Sequence, residues 1–204
     1  MLIETDRLLL RRLTIDDVDE LVEIHADPAI VQFMGAWDRA RAVEWLTEVD
    51  RNWENRGYGR VAITDRASGR LLGRTGLMYL PQFGETELGW TLRREARGHG
   101  YATEAARACA DWAFGEFEIP YLTSLIERGN ERSIRVASRL GMTPIRNDVF
   151  HDRPMIVHAV ARELWLASWS SHPGAQSAAS SLNEARSGIA RLAPNGCSGE
   201  VGRE

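Results

Sequence analysis

At 204 residues the chain suffices for one sizeable hydrophobic core and is short for two, and 44% apolar with 26% charged residues is the balance of a globular protein. All 25 basic residues are arginine, which excludes a lysine Schiff base, a P-loop lysine and a lysine general base. A net charge of −4 and a pI near 5.8 argue against a nucleic-acid-binding surface.

The opening Leu8-Leu9-Leu10 predicts a strand. Thr14-Ile15-Asp16-Asp17 resembles a capping box with Asp in place of Glu, and Val18, Leu21, Val22 and His25 recur behind it at helical spacing. Asp27-Pro28 is expected to stop that helix. A second helix is predicted from Arg39 to Asn55, with Val43, Leu46, Val49 and Trp53 as its apolar stripe. Gly59–Asp65 and Leu71–Tyr79 flank the turn Ala67-Ser68-Gly69 as a hairpin, and Glu85–Leu92 follows as a third strand. Then come a helix over Tyr101–Phe114, a strand over Tyr121–Glu127, a helix over Asn130–Leu140, a short strand over Met142–Arg146 and a closing strand over Pro154–Leu164. The order βααβββαβαββ mixes hairpins with crossovers, so an α/β sheet that is part antiparallel and part parallel is expected.

The domain is expected to span residues 1–166. From Ala167 to Glu204, 20 of 38 residues are Ala, Ser or Gly, too few apolar groups to offset the cost of ordering, so a flexible tail is expected, with at most a short helix over Leu182–Leu192. Charged residues interrupt the N-terminus at Asp6, Arg7, Arg11 and Arg12, and no apolar run reaches the length of a membrane span. A cytoplasmic, reducing location is therefore the expectation, with no membrane and no nucleic acid as partner. Cys109 and Cys197 lack metal-ligand spacing, so no metal is expected.

The chemistry concentrates in the stretch from Glu85 to Ala105. It reads as a strand, a turn carrying Gly98 and Gly100, and a helix that starts at once. Helix N-termini present unpaired amides and a partial positive charge, and glycines let an anion approach them. A helix-initiating turn packed on the sheet explains the glycines equally well. The residue Thr103 after Gly98 and Gly100 departs from a dinucleotide fingerprint, and a Walker loop needs a lysine the chain lacks.

Arg97-Gly98-His99-Gly100-Tyr101-Ala102 matches the R/Q-x-x-G-x-G/A signature of the GCN5-related N-acetyltransferase (GNAT) family. Asn130-Glu131-Arg132-Ser133 and Leu140-Gly141-Met142 resemble that family's N-x-x-S and closing segments. The opening Glu4-Thr5-Asp6-Arg7-Leu8, with Glu87-Leu88-Gly89-Trp90, is similar to the RimJ/RimL branch, which acetylates protein N-termini and other amines. The resemblance covers about residues 1–165 and implies the GNAT fold, a mixed central sheet flanked by helices and splayed at the acetyl-CoA site.

It further implies acetyl-CoA as donor and an amine as acceptor. The diphosphate would lie on the amides of Arg97, Gly98, His99, Gly100, Tyr101 and Ala102, with the Thr103 hydroxyl, and the pantetheine arm along Trp90, Thr91 and Leu92. Asn130 and Ser133 would complete the cofactor set, Asn130 alternatively serving only as a helix cap. Attack on the thioester needs a deprotonated amine, a stabilised oxyanion and a protonated leaving group. Glu87 is the expected base, with Glu85 acting through a water as the alternative. The family's usual tyrosine acid falls at Ala137, which shifts that expectation to Ser133.

Arg93, Arg94 and Arg97 read either as assisting the phosphates or, taken singly, as solvated surface arginines, Trp37 as a helix-packing side chain or an acceptor-pocket wall, and His151-Asp152 as a hairpin turn. The competing readings are a non-catalytic acyl-CoA sensor or partner-binding module, suggested by Ala137, and a nucleotide-binding oxidoreductase. A homodimer is the default among soluble oligomers.

Overall fold

A computed structural model describes residues 2–170, the side chains of 168–170 excepted. The residues expected to form the flexible tail beyond Ser170, including Leu182–Leu192 and Cys197, lie outside the described residues. Eight strands form one sheet in the order β1-β2-β3-β4-β5-β6-β8-β7. The strands are β1 (Leu2–Glu4), β2 (Leu8–Arg12), β3 (Arg60–Asp65), β4 (Leu71–Leu80), β5 (Glu85–Leu92), β6 (Tyr121–Glu127), β7 (Thr143–Phe150) and β8 (Arg153–Ala161). All neighbours are antiparallel except β5 and β6, which are parallel and joined by helix α4 (Tyr101–Glu116).

Between β2 and β3 lie α1 (Val18–His25), α2 (Pro28–Met34) and α3 (Arg39–Arg56). The capping acid Asp17 accepts the Thr14 amide at 2.8 Å and a fork from Arg11 at 2.6 and 2.8 Å. Burial pushes the Asp17 carboxyl up, but Arg11 and Thr14 outweigh it and hold it below the usual range. Helix α2 was not expected. Asp27-Pro28 ends α1 and also starts α2, because the Asp27 carboxylate accepts the Ala29 amide at 2.9 Å while Pro28 occupies the first turn, where its missing N–H costs nothing.

Helix α5 (Glu131–Arg139) follows β6. The closing strand ends at Ala161 rather than Leu164, and α6 (Arg162–Ser170) takes over. Trp165 explains the switch: it is buried against Phe114 with ring centroids 5.8 Å apart, and its indole donates to Asp111 at 2.7 Å. Strand β7 reaches Phe150, and His151 and Asp152 turn the β7–β8 hairpin at φ 49° and 60°.

Alternation along β3 and β4 sorts the core into two layers. Val61, Ile63 and Leu72 join α4, α5 and the C-terminal half of α3 in one cluster, whereas Ala62 and Leu71 join α1, α2 and the N-terminal half of α3 in the other. Trp37 belongs to this second layer, stacked on His25 at 3.6 Å, so it packs helices rather than lining a pocket. Burial, then the Arg74 charge, lowers the His25 pKa to about 3. The ring therefore stays neutral, donating from Nδ1 to the Leu21 carbonyl at 2.8 Å and accepting from Arg74 at Nε2 at 3.3 Å.

Candidate active site

The parallel pair β5–β6 holds register only at Glu87 and Thr123, after which the strands part. Side chains bridge the start of the split, with Ser124 donating to the Leu88 carbonyl at 2.6 Å. Beyond it opens a cavity of about 800 Å³. Because the gap passes through the sheet, the cavity meets both faces. Thr103 of α4 and Ser133 and Val136 of α5 line one side, and Ile30, Phe33 and Met34 of α2 line the other.

One wall of the cavity is the turn into α4. Gly98 and Gly100 adopt φ of 84° and 83°, the left-handed region that costs other residues free energy, and Gly100 provides no side-chain cap for the helix it starts. The Oγ1 of Thr103 is buried at this wall with no hydrogen-bond partner. An orphaned hydroxyl beside an uncapped helix start is the donor set an anionic phosphate group satisfies. The residues present therefore fit a coenzyme diphosphate.

The expected cofactor residues largely converge. Trp90, Thr91, Leu92, Arg97, Gly98, Gly100, Tyr101, Ala102, Thr103, Asn130 and Ser133 all line this one cavity. His99 lies outside the lining; it is exposed, its carbonyl accepting from Arg7 at 3.0 Å. Asn130 caps α5 by accepting the Ser133 amide at 3.2 Å. Ala137 is fully buried in the core beneath α5 and does not line the cavity.

Neither expected carboxylate lines the cavity either. Strand alternation puts Glu85 and Glu87 on the face of β5 opposite Trp90, the same face as Thr91. Glu87 pairs with the buried Arg60, which also donates to the Gly76 carbonyl and lies over Gly89, where a Cβ would approach its Nη1 to 2.6 Å. Glu85 is held by both arms of Arg146 at 2.8 and 2.9 Å and by the Tyr121 hydroxyl at 3.4 Å. Burial and then the Glu85 charge raise the Tyr121 pKa. Glu85 thus ties β5 to β7, while Glu87 is the carboxylate nearer the split.

Arg94 is exposed as expected, whereas Arg93 and Arg97 are not solvated. Arg93 is buried and meets Glu23, Glu95 and Glu20 at 3.3 to 3.7 Å, and Arg94 reaches Asp27 at 3.1 Å. Arg97 is committed to Asp27 at 2.8 Å and to the Leu92 carbonyl at 3.0 Å. These pairs anchor the start of α2 beside the phosphate turn. Cys109 is a buried core residue whose thiol burial pushes up to about 12.

Two parts of the cavity were missed from the sequence: the α2 wall, and a row of arginines on α5 formed by Arg132, Arg135 and Arg139. The signal for α2 was present in Asp27-Pro28, an N-cap followed by proline at the first helical position.

A parallel crossover that splays its strands and brings a helix N-terminus to the gap is an arrangement suited to an extended, phosphate-bearing ligand. Residues 7–143 match the acetyltransferase (GNAT) domain family. An uncharacterized protein of Bacillus subtilis (strain 168), YkkB, is 34% identical over 142 residues, covering 68% of this chain and 83% of its own. An acetyltransferase from Agrobacterium tumefaciens str. C58 superposes with a TM-score of 0.71 at 31% identity, covering 78% of this chain and 94% of that one. The aminoglycoside acetyltransferase AAC(6′)-Ib, solved in complex with coenzyme A, shares the fold at a TM-score of 0.67 and 18% identity, covering 79% of this chain and 99% of that one.

The chain belongs to the GNAT family and is an acetyl-CoA-dependent acyltransferase. Among the described residues no helix is long and apolar enough to cross a membrane, and no group of three or more His, Cys, Asp or Glu side chains is disposed to hold a metal.

Proposed function

We propose that the protein, through a catalytic unit of residues 1–166, acetylates a primary amine, either a protein N-terminus or a small molecule, by direct attack in a ternary complex. The reading places it beside the RimJ/RimL branch. The observation that carries it is the single cavity through the β5–β6 split, which joins the turn before α4 to the face of the sheet that bears Glu87.

Acetyl-CoA supplies an activated acetyl thioester. The amides of Gly98, Gly100, Tyr101 and Ala102 with the Thr103 hydroxyl hold its diphosphate, and the free edge of Trp90–Leu92 receives the pantetheine arm as an added strand. Backbone amides at Leu88–Trp90, where β5 has left β6, stabilise the developing oxyanion. Glu87 takes the proton from the incoming amine, held in place by Arg60, and α2 shields the acceptor side from water with Phe33 and Met34. Ser133 protonates the departing thiolate from the opposite wall. Glu85, with both its oxygens on Arg146, is the alternative base and would act through a water rather than directly.

The test is Glu87→Gln, followed by thiol release across peptide N-termini, polyamines, aminoglycosides and amino acids. Loss of a general base lowers turnover about 10²-fold or more, while the acetyl-CoA Kd stays within about twofold. Unchanged turnover removes Glu87 from the role. Tight acetyl-CoA binding with no activity on any amine would favour a non-catalytic sensor.

A further inference from the structure

Two donors on the Glu87 face of the sheet converge on a partner too weak for them. Arg74 of β4 and Thr91 of β5 are opposite in register, and the Arg74 Nη2 and the Thr91 hydroxyl both meet the Met34 sulfur, at 3.8 and 3.7 Å. A thioether is a weak acceptor. Met34 and Thr91 line the cavity, whereas Arg74 lies behind them and is 3% exposed. Its Nε is sealed without a hydrogen-bond partner, and besides the sulfur its Nη2 has the neutral His25 ring at 3.3 Å. The Trp45 and Trp37 rings lie 4.5 and 5.5 Å from the guanidinium carbon. Among the described residues no carboxylate comes within 4.0 Å of Arg74. The neighbouring Arg60 is neutralised by Glu87, so Arg74 is a buried cation in excess.

Burial and then the Arg60 charge lower the Arg74 pKa to about 9, which still leaves it charged at neutral pH. A buried charge with no counter-charge is costly, and aromatic faces and a sulfur offset only part of that cost. A carboxylate in place of the sulfur would satisfy the guanidinium and the hydroxyl together through charge-assisted bonds. Met34 can yield that place: it is unbranched, 37% exposed and the last residue of α2, before Gly35 at φ 72°. We propose that Arg74 and Thr91 form a carboxylate pocket plugged by Met34, and that the acceptor is an amine bearing a carboxylate. This rests on the acetyl-transfer reading above and adds to it the class of acceptor. Thr91 lies two residues beyond Gly89, the middle of the oxyanion segment, which is about 7 Å along the strand. The carboxylate therefore sits several bonds from the amine, as on an aspartate or glutamate side chain, and polycationic amines are disfavoured.

The experiment measures kcat/KM by thiol release for acceptor pairs that differ in charge: glutamate against glutamine and aspartate against asparagine, each as the free amino acid and as the first residue of a peptide. The two arms separate a small-molecule source of the carboxylate from a protein one. The wild type should favour the acid over its amide by about tenfold or more in one arm at least, with polyamines poorer than the amides. In Arg74→Met, which keeps an apolar side chain of similar length and removes an unpaired buried charge, that ratio should fall to about one while the acetyl-CoA Kd stays within about twofold. Should that variant not fold, the nearly isosteric Thr91→Val carries the same test by lowering the ratio partway. Met34→Ala takes out the plug and should lower KM for the acids alone. A purely structural Arg74 would alter turnover of acid and amide alike and leave the ratio intact. An intact ratio in the variants, or equal wild-type rates on acid and amide, would overturn the pocket and leave acetyl transfer standing. Acetyl-CoA binding without turnover of any acceptor would overturn both.

Discussion

Asp27 offers the sharpest separation of local forces, because one carboxylate caps α2 and fastens it to the segment that leads into the phosphate turn. Its Oδ1 accepts the Ala29 amide at 2.9 Å, and its oxygens meet Arg94 at 3.1 Å and Arg97 at 2.8 Å. Losing an N-cap costs about 1 kcal/mol, and a partly solvated ion pair such as that with Arg97 adds about 0.5 kcal/mol after screening. Asp27→Ala should therefore cost about 1.5 kcal/mol, which lowers Tm by about 3–6 °C in a domain of this size. Asp27→Asn keeps a capping oxygen and loses the charge, so its loss should be only about 0.5 kcal/mol.

Desolvation pushes the Asp27 carboxyl up, but the Ala29 amide, Arg94 and Arg97 outweigh it and hold it below the usual range. A depressed folded-state pKa means the contribution is complete above the unfolded value near 3.8 and disappears as pH falls through the folded one. The gap between wild type and Asp27→Asn in urea denaturation should accordingly close at strongly acidic pH. Both variants should also weaken acetyl-CoA binding, since α2 walls the cavity. Equal Tm losses in the two variants would refute the division into cap and charge, and unchanged acetyl-CoA affinity would refute the role of α2 as a wall.

Thr103→Val removes a hydroxyl that has no partner in the free protein, so stability should hold or rise slightly while acetyl-CoA affinity falls about tenfold, read by denaturation and calorimetry on one sample. Arg60→Met strands Glu87 and should cost about 3 kcal/mol in urea denaturation, whereas the double variant Arg60→Met with Glu87→Leu should recover most of that and remain inactive. For His25, whose pKa is about 3 in the fold against 6.5 unfolded, the unfolded chain binds the extra proton between those values. Stability should thus rise with pH across pH 4–6 by about 1.4 kcal/mol per unit more than in His25→Phe, and parallel slopes would contradict a neutral buried ring.

Much of the fold was legible because periodicity and turn chemistry agree. Alternation located β3, the turn Ala67-Ser68-Gly69 located its hairpin partner β4, and the glycine turn located α4, since those signals are local. Helix α2 was not legible as a helix because the proline that starts it also satisfies the rule for ending α1. The boundary between β8 and α6 was hidden in an apolar run whose register is set by Trp165 docking on α4, a contact 54 residues away in the chain.

The site divides the same way. The anion turn and the β5 edge are contiguous segments and could be read directly, whereas the partners of the charges could not. Glu85 finds Arg146 from 61 residues away, Arg93 finds Glu23 from 70, and Arg60 finds Glu87 from 27. Reading Arg93 singly as a solvated side chain therefore missed that it is buried, and no local signal marked Arg60 or Arg74 as buried.

The most direct measurement is a backbone amide chemical-shift titration with acetyl-CoA. The account predicts saturable shifts concentrated at Trp90–Leu92, Gly98–Thr103 and the start of α5, with α2 responding at Phe33 and Met34. Shifts that saturate elsewhere on the sheet, leaving the amides of Gly98 to Thr103 unmoved, would contradict it.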